Sequence, residues 1–301
     1  MLEELAKWRT AWISDVHLGN KICKAEALLN FLRENDFETL YVVGDLIDVS
    51  ALKRRIYWPQ EHNDIIQKLL RKGRKGARII YVPGNHDEHV GGYLGLFGCV
   101  AVEKNAIHTT ADGKRILVFH GHELDAMLVH NLGWRGQVGD IAYTLLVGCN
   151  RTVSLGRRLM GLSDWSLSAY VKSRAKNVLK FIDDFERAAV SYADAQDADG
   201  AVCGHIHSAK VRKIGTMDYY NAGDWVESCT ALVEDFNGTI KLIRSVDYRR
   251  GSKMSSSSAS AGDILVSYRD RPRASKTGGL DLRRHLESQG GGSTISIPVQ
   301  S

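Results

Sequence analysis

The sequence predicts an α/β fold, on three observations. Short apolar, β-branched runs alternate with segments of helical periodicity from residue 11 onward. Several of those runs stop abruptly at Gly, Asp, Asn or His rather than at a generic turn. The hydrophobic fraction of 44% over 301 residues is enough to bury a full core, as one large domain or two smaller ones.

The first predicted strand runs from Ala11 to Ser14 and ends in Asp15-Val16-His17. Alternate strand residues share a face, so Asp15 and His17 can turn toward one ion. Ala25 to Phe31 has helical spacing and leads to a second strand, Leu40 to Val43, which stops at Gly44-Asp45 with Asp48 three residues on. This makes a β-α-β unit whose functional edge lies at the strand C-termini. A helix around Asn63 to Arg71 precedes the strand Arg78 to Val82, which breaks at Pro83-Gly84-Asn85-His86-Asp87. Glycine lets the backbone approach a ligand, Asn offers a neutral oxygen and His a titrating nitrogen.

The run Arg115 to Phe119 ends in His120-Gly121-His122, and Ala201 to Cys203 ends in Gly204-His205-Ile206-His207. Five strand ends therefore carry Asp, Asn or His. Oxygen and imidazole donors without cysteine suit a hard or borderline divalent ion. Met217 to Asn221, Cys229 to Val233 and Thr239 to Ile243 read as short antiparallel strands completing a second sheet.

Between Glu123 and Ala195 lies an insertion without strand-like runs. Its second half reads as one amphipathic helix, with Ser163 as N-cap and Leu167, Val171, Val178, Phe181, Phe185 and Ala189 in phase. Lys172, Lys176 and Lys180 form a stripe along it, either a solvated face or part of a lid over a phosphate-bearing substrate. Beyond Tyr248 the chain turns Ser-, Gly- and Arg-rich and is expected to be disordered.

The net charge of +5 is unevenly spread. Residues 151–180 carry seven basic groups against Asp164 alone, and residues 251–301 carry seven against four acids. Five scattered cysteines without a C-x-x-C pair predict free thiols in a reducing compartment. The first ten residues lack the order of an export signal, and the longest apolar stretch, Ile141 to Cys149, is too short to span a bilayer. A cytoplasmic protein is expected.

Taken in order, Asp15-x-His17, Gly44-Asp45-x-x-Asp48, Gly84-Asn85-His86-Asp87, His120 and Gly204-His205-x-His207 resemble the motifs of the calcineurin-like metallophosphoesterases, over about residues 10–245. The resemblance implies a four-layer α/β/β/α sandwich; with the patterning it places this domain at residues 1–250, including a helical lid insertion at about 123–195, ahead of the disordered basic Ser/Gly-rich tail at 251–301. It implies two divalent cations, with Mn²⁺ expected. One would be held by Asp15, His17, Asp45 and His207, the other by Asp45, Asn85, His120 and His205. Two such ions about 3.5 to 4 Å apart share a carboxylate and a water, lower the pKa of that water and neutralise the phosphoryl oxygens. His86 would face the substrate, held in place by Asp48.

The compact body and basic insertion look like the UDP-2,3-diacylglucosamine hydrolases, implying a nucleotide- or lipid-linked pyrophosphate substrate and peripheral contact with the inner membrane through the lid. Ile141 to Val147 with Arg151, Arg157 and Arg158 would supply that surface. Substrate contacts are assigned to His122, Lys172, Arg174 and Asn177. Two positions depart from that subfamily: His86 stands where an Arg is usual, and Gly121-His122 where Gly-Asp is usual. The alternatives are a phosphodiesterase or phosphomonoesterase for small soluble esters, and a non-catalytic protein-binding member of the fold. A nucleic-acid partner is not expected, because the basic insertion lacks interleaved aromatic residues.

Overall fold

In the computed structural model the described residues are 5–93, 95–132 and 164–245, with the side chains of 93, 96–97, 129–132 and 164–177 left aside. Strand β1 (Ala6–Ser14), helix α1 (Ala25–Glu34) and strand β2 (Asn35–Val43) form the expected β-α-β unit. The short α2 (Val49–Arg54) and the longer α3 (Gln60–Arg74) lead to β3 (Arg78–Val82). A 3-10 turn (Glu88–Tyr93) and the short strands β4 (Gly95–Phe97), β5 (Val100–Val102) and β6 (Ala106–Thr109) precede β7 (Arg115–Val118). Helices α4 (Glu123–Leu132) and α5 (Asp164–Asp194) follow. The chain then forms β8 (Gly200–Cys203), β9 (Lys210–Ile214), β10 (Met217–Asn221), β11 (Thr230–Glu234) and β12 (Ile240–Arg244).

Two sheets result. One has the order β12-β11-β1-β2-β3-β5-β4, the other β6-β7-β8-β10-β9. This corrects the expectation for the last three strands. Only β10 joins the second sheet, and it lies parallel to β8; β11 and β12 close the first sheet, with β11 antiparallel to β1. The register Thr10↔Glu234 joins residues far apart in the chain, which no local pattern encodes.

Strand alternation builds the layers. Trp12, Tyr41, Val43, Ile80 and Val82 of the first sheet meet Ile116, Val118, Val202 and Tyr220 of the second in one buried cluster. Their neighbours Ala11, Ile13, Leu40, Val42 and Ile79 point the other way, onto Leu28 and Leu32 of α1 and Ile65 and Leu69 of α3. On the far side, Phe181, Phe185, Ala189 and Ala193 of α5 pack on Leu117, Ala201 and Tyr219. The spacing of four residues keeps those α5 side chains on one face. The order is helices, sheet, sheet, helices, the mixed α/β arrangement the sequence predicted. Trimming Ile80 to alanine opens a cavity between the sheets and costs about 2 to 5 kcal/mol.

Local chemistry fixes the helix ends. Helix α1 ends where Asn35 Nδ2 donates to Phe31 O at 2.9 Å. Helix α2 starts where Asp48 Oδ1 accepts from Ala51 N at 2.7 Å, an N-cap worth about 1 kcal/mol. The buried Glu186 of α5 pairs with Lys210 at 2.9 Å and Arg212 at 2.8 Å on β9, pinning the helix to the second sheet. The chain divides into two compact units, Met1–Ser252 and Lys253–Ser301, and the described residues all belong to the first. Ile141 to Val147, Arg151, Arg157, Arg158, Ser163 and the Ser/Gly-rich tail lie outside the described residues.

Candidate metal centre

The C-terminal ends of β1, β2 and β3 in one sheet and of β7 and β8 in the other open onto a common edge, and five loops bring their side chains to it. Among the described residues, three groups of potential ligand atoms each lie within 4.8 Å of one another: Asp15, His17 and His207; His17, Asp45 and His86; Asp15, Asp45 and His120. The three groups share members, so they form one continuous cluster.

Each shared carboxylate has one oxygen tied down and one presented to the edge. Asp45 Oδ1 accepts from His86 N at 2.9 Å. Its Oδ2 faces His120 Nε2 at 3.5 Å, His17 Nε2 at 3.8 Å and His86 Nε2 at 4.0 Å. Asp15 Oδ2 accepts from Ser14 Oγ at 2.5 Å and His205 N at 2.9 Å, while Oδ1 faces His207 Nε2 at 3.3 Å and His17 Nε2 at 3.9 Å. Nitrogen–oxygen separations of 3.3 to 4.0 Å are long for direct hydrogen bonds and suit groups that share a cation between them.

The backbone is shaped to bring this about. Asp15, His17, Asp45, His205 and His207 all have φ between 50° and 67°, the left-handed region that costs a non-glycine residue on the order of 1 to 3 kcal/mol. Two glycines make room. A Cβ on Gly44 would collide with the His120 ring, and one on Gly204 with Ser14 Oγ and Asp15 Oδ2.

Charge balance among the protein groups supports cation binding. Burial opposes ionisation of Asp15 and Asp45, but His207 and His120 beside Asp15 hold it down at about 2, and His120, His17 and His86 hold Asp45 well below the usual carboxylate range. Conversely, burial disfavours a charged His120, yet Asp45 and Asp15 draw its pKa up to about 10. His207 is raised by Asp15 against the same burial penalty. The carboxylates thus recruit positive charge in the form of protons, and a divalent cation serves the same electrostatic need. His120 Nδ1 lies 3.1 Å from Val43 O, which leaves Nε2 toward the edge, where it could serve a cation.

Asn85 sits at the exposed rim, its Oδ1 3.3 Å from His120 Nε2. His205 is at the same edge, its ring 5.2 Å from that of His120, but its Nε2 is held by both oxygens of Asp125 at 3.0 Å. Only Nδ1 is left to face a ligand. Asp125 was not singled out in the sequence; its signal was a carboxylate on the first turn of a helix immediately after His120-Gly121-His122. Asp87, which the sequence placed in the Gly84-Asn85-His86-Asp87 motif without a role, is buried and accepts from Gly84 N at 2.7 Å, from Ile47 N at 3.1 Å and from the Tyr81 hydroxyl, tying the β3 loop to the β2 loop. Burial and the nearby Asp45 raise its pKa.

His86 lies at the mouth, its Nδ1 3.0 Å from Asp48 Oδ1. Asp48 also receives Asn20 Nδ2 at 2.9 Å, so one carboxylate caps α2 and orients the histidine. Burial works against a charged His86, but Asp48 and Asp45 outweigh it and raise its pKa. His122 packs beside the cluster, its ring 5.5 Å from that of His120, and burial lowers its pKa toward the neutral form. The side chains of Lys172, Arg174 and Asn177 lie outside the described residues, although the helix that carries them is present.

A two-sheet α/β body with aspartate, asparagine and histidine donors converging at one edge defines a metal-binding phosphoesterase type of site. The calcineurin-like phosphoesterase family matches residues 9–209, about two thirds of the chain, and the chain belongs to that family. The DNA polymerase II small subunit of Methanothermobacter thermautotrophicus is 24% identical over 175 residues, 46% of this chain. This chain spans only 36% of that relative's length. Among solved structures, a single mutant of Vps29 from Entamoeba histolytica is 14% identical, with 78% of this chain and 96% of that one covered at a TM-score of 0.38. A novel archaeal phosphodiesterase is 12% identical, with 78% and 98% covered at a TM-score of 0.36. Among the described residues, no helix is long and apolar enough to cross a membrane.

Proposed function

We propose that the protein is a hydrolase that uses two divalent cations, Mn²⁺ foremost, to cleave a pyrophosphate or phosphodiester in a nucleotide- or lipid-linked substrate such as a UDP-2,3-diacylglucosamine. The observation that supports this reading most is the position of Asp45 Oδ2, between His17, His86 and His120 and within one cluster with Asp15. Asp15, His17, Asp45 and His207 would hold one cation, and Asp45, Asn85, His120 and His205 the other. Bound there, the cations would supply positive charge against the phosphoryl oxygens and lower the pKa of the attacking water.

The chain's own residues do the rest. Asp48 fixes the His86 ring, leaving Nε2 at the mouth of the site. Asp48 and Asp45 raise the ring's pKa against the burial penalty, which favours a proton on that nitrogen for transfer to the leaving oxygen. Asn85, at the rim, contributes a neutral oxygen. The seven basic groups of residues 151–180, Arg174 and Lys172 among them, favour an anionic substrate, with Asn177 and His122 as further contacts. The lid at about 123–195 would lie against the inner membrane on the cytoplasmic side.

A narrower reading, a phosphodiesterase for small soluble esters, draws support from His86 and Gly121-His122 at positions where the lipid-directed enzymes differ. The deciding experiment measures metal content together with turnover of UDP-diacylglucosamine, CDP-alcohols and a small chromogenic phosphodiester. Turnover of the acylated nucleotide, lost when Lys172, Arg174 and Lys176 are replaced while small-ester hydrolysis survives, supports the lipid reading. Small-ester turnover alone selects the narrower one, and no turnover of any substrate by the metal-loaded protein rejects both.

A further inference from the structure

From the last turn of α2 into the loop before α3 the chain reads Lys53-Arg54-Arg55-Ile56-Tyr57-Trp58, and its side chains are arranged unlike an ordinary solvated loop. Lys53, Arg54 and Arg55 are exposed, and among the described residues none of them forms an ion pair. Ile56 is 84% exposed, the highest value among the exposed large hydrophobic residues described. Tyr57 and Trp58 are half-buried, each packed edge-on against His62, and Trp58 Nε1 donates to Asn63 Oδ1 at 2.9 Å. Lys21 Nζ stands 5.6 Å from the Tyr57 ring centroid and adds a fourth cation. The acids that follow, Glu61 and Asp64, lie on α3, and Asp64 is engaged by Gln60.

We propose that this segment is a docking surface for an anionic phospholipid bilayer. Consecutive cations ahead of an unshielded isoleucine, backed by anchored Tyr and Trp rings, combine the two attractions of a membrane interface: cations meet the headgroups and the apolar group enters the acyl boundary. A nucleic acid would gain nothing from the isoleucine, and it would need ring faces for stacking where these rings are held by His62 and Lys21. The segment is also well placed. It begins five residues after Asp48 on the same short helix, about 8 Å along its axis, so a bilayer engaged here lies near the edge that presents His86. The inference stands on this loop alone and does not depend on the reaction proposed above.

The test is co-sedimentation of the full chain with phosphatidylcholine vesicles, with and without phosphatidylglycerol, and no substrate is needed. The wild type is expected to partition onto the anionic vesicles only, less so as salt rises. Each cation near such a surface contributes about a fivefold factor, so the triple variant Lys53→Glu, Arg54→Glu, Arg55→Glu should lose at least a hundredfold or so in partitioning. Ile56→Asp should lose about tenfold. All four substitutions are on the surface, and circular dichroism confirms folding. Absence of wild-type binding overturns the proposal, as does unchanged binding by the triple variant, which would move the contact to another basic region. A preference for a single-stranded oligonucleotide over anionic vesicles overturns it as well.

Discussion

Strand β1 runs past two buried groups of carboxylates and imidazoles. Near its middle, Arg9, His108 and Glu234 join the two sheets; at its C-terminal end, Asp15, His17, His207 and Asp45 meet at the edge. From Thr10 to Asp15 is about 16 Å of strand. In the first group the acid is closed by short contacts: Glu234 accepts from Arg9 at 2.7 and 2.8 Å and from Ala111 N at 2.7 Å, with His108 Nε2 at 2.9 Å, while Arg9 and Tyr41 stand 3.4 Å from the His108 nitrogens. Its members keep φ negative, and Trp12 and Tyr41 pack edge-on against His108. In the second group the facing oxygens and nitrogens stand 3.3 to 3.9 Å apart, and the backbone is held left-handed at all four residues. The same residue types thus serve two ends: an acid closed by short hydrogen bonds on relaxed backbone makes a structural joint, and carboxylates and imidazoles spaced beyond hydrogen-bond length on strained backbone leave room for a ligand between them.

The contrast predicts opposite responses to losing the central acid. Asp45→Ala should lower turnover about a thousandfold and deplete bound metal, with thermal stability little changed because a buried carboxylate close to Asp15 is gone while the left-handed backbone strain stays. Metal-replete protein with near-normal turnover would show that Asp45 is not central. Glu234→Ala should do the reverse. Leaving Arg9 and His108 without their acid costs about 3 kcal/mol of unfolding free energy by urea titration, with activity per folded molecule unchanged.

Two smaller effects sharpen the picture of the edge itself. His86→Gln should reduce turnover about a hundredfold while metal content stays at the wild-type level, separating proton transfer from metal retention. Asp125→Ala, by freeing the His205 ring, should weaken metal affinity about tenfold, read by calorimetry rather than by rate. Unaltered affinity would make the His205–Asp125 pair a packing contact.

What could be read from the sequence follows from the range of the interactions. Gly44-Asp45, Gly84-Asn85 and Gly204-His205 are local signals, because a strand end and the polar residue it delivers are neighbours in the chain. The phase of Phe181, Phe185 and Ala189 is equally local, and it gave the buried face of α5. The sheet that β11 and β12 join is decided by pairing with β1 across more than two hundred residues, so it left no trace in the sequence. The short strands β4, β5 and β6 carry too few residues for a period to show. His108 and Glu234 stand in plain strand contexts without a glycine, and their meeting is likewise long-range.

The joint at Glu234 should also respond to pH in a definite direction. Burial alone would raise the pKa of its carboxyl, but the hydrogen bonds from His108 and Ala111 N outweigh that and hold it at about 2, below the ordinary value of 4.5. A carboxyl depressed on folding adds stability that is fully present above its unfolded pKa and fades as pH falls toward the folded one. The stability gap between wild type and Glu234→Gln should therefore be constant near neutrality and narrow between about pH 5 and pH 2. Urea midpoints of both proteins across that range measure it. A gap that widens toward acid would mean that the Arg9–Glu234 contact is not the ionised pair the geometry describes, and the difference between the two clusters would lose its electrostatic half.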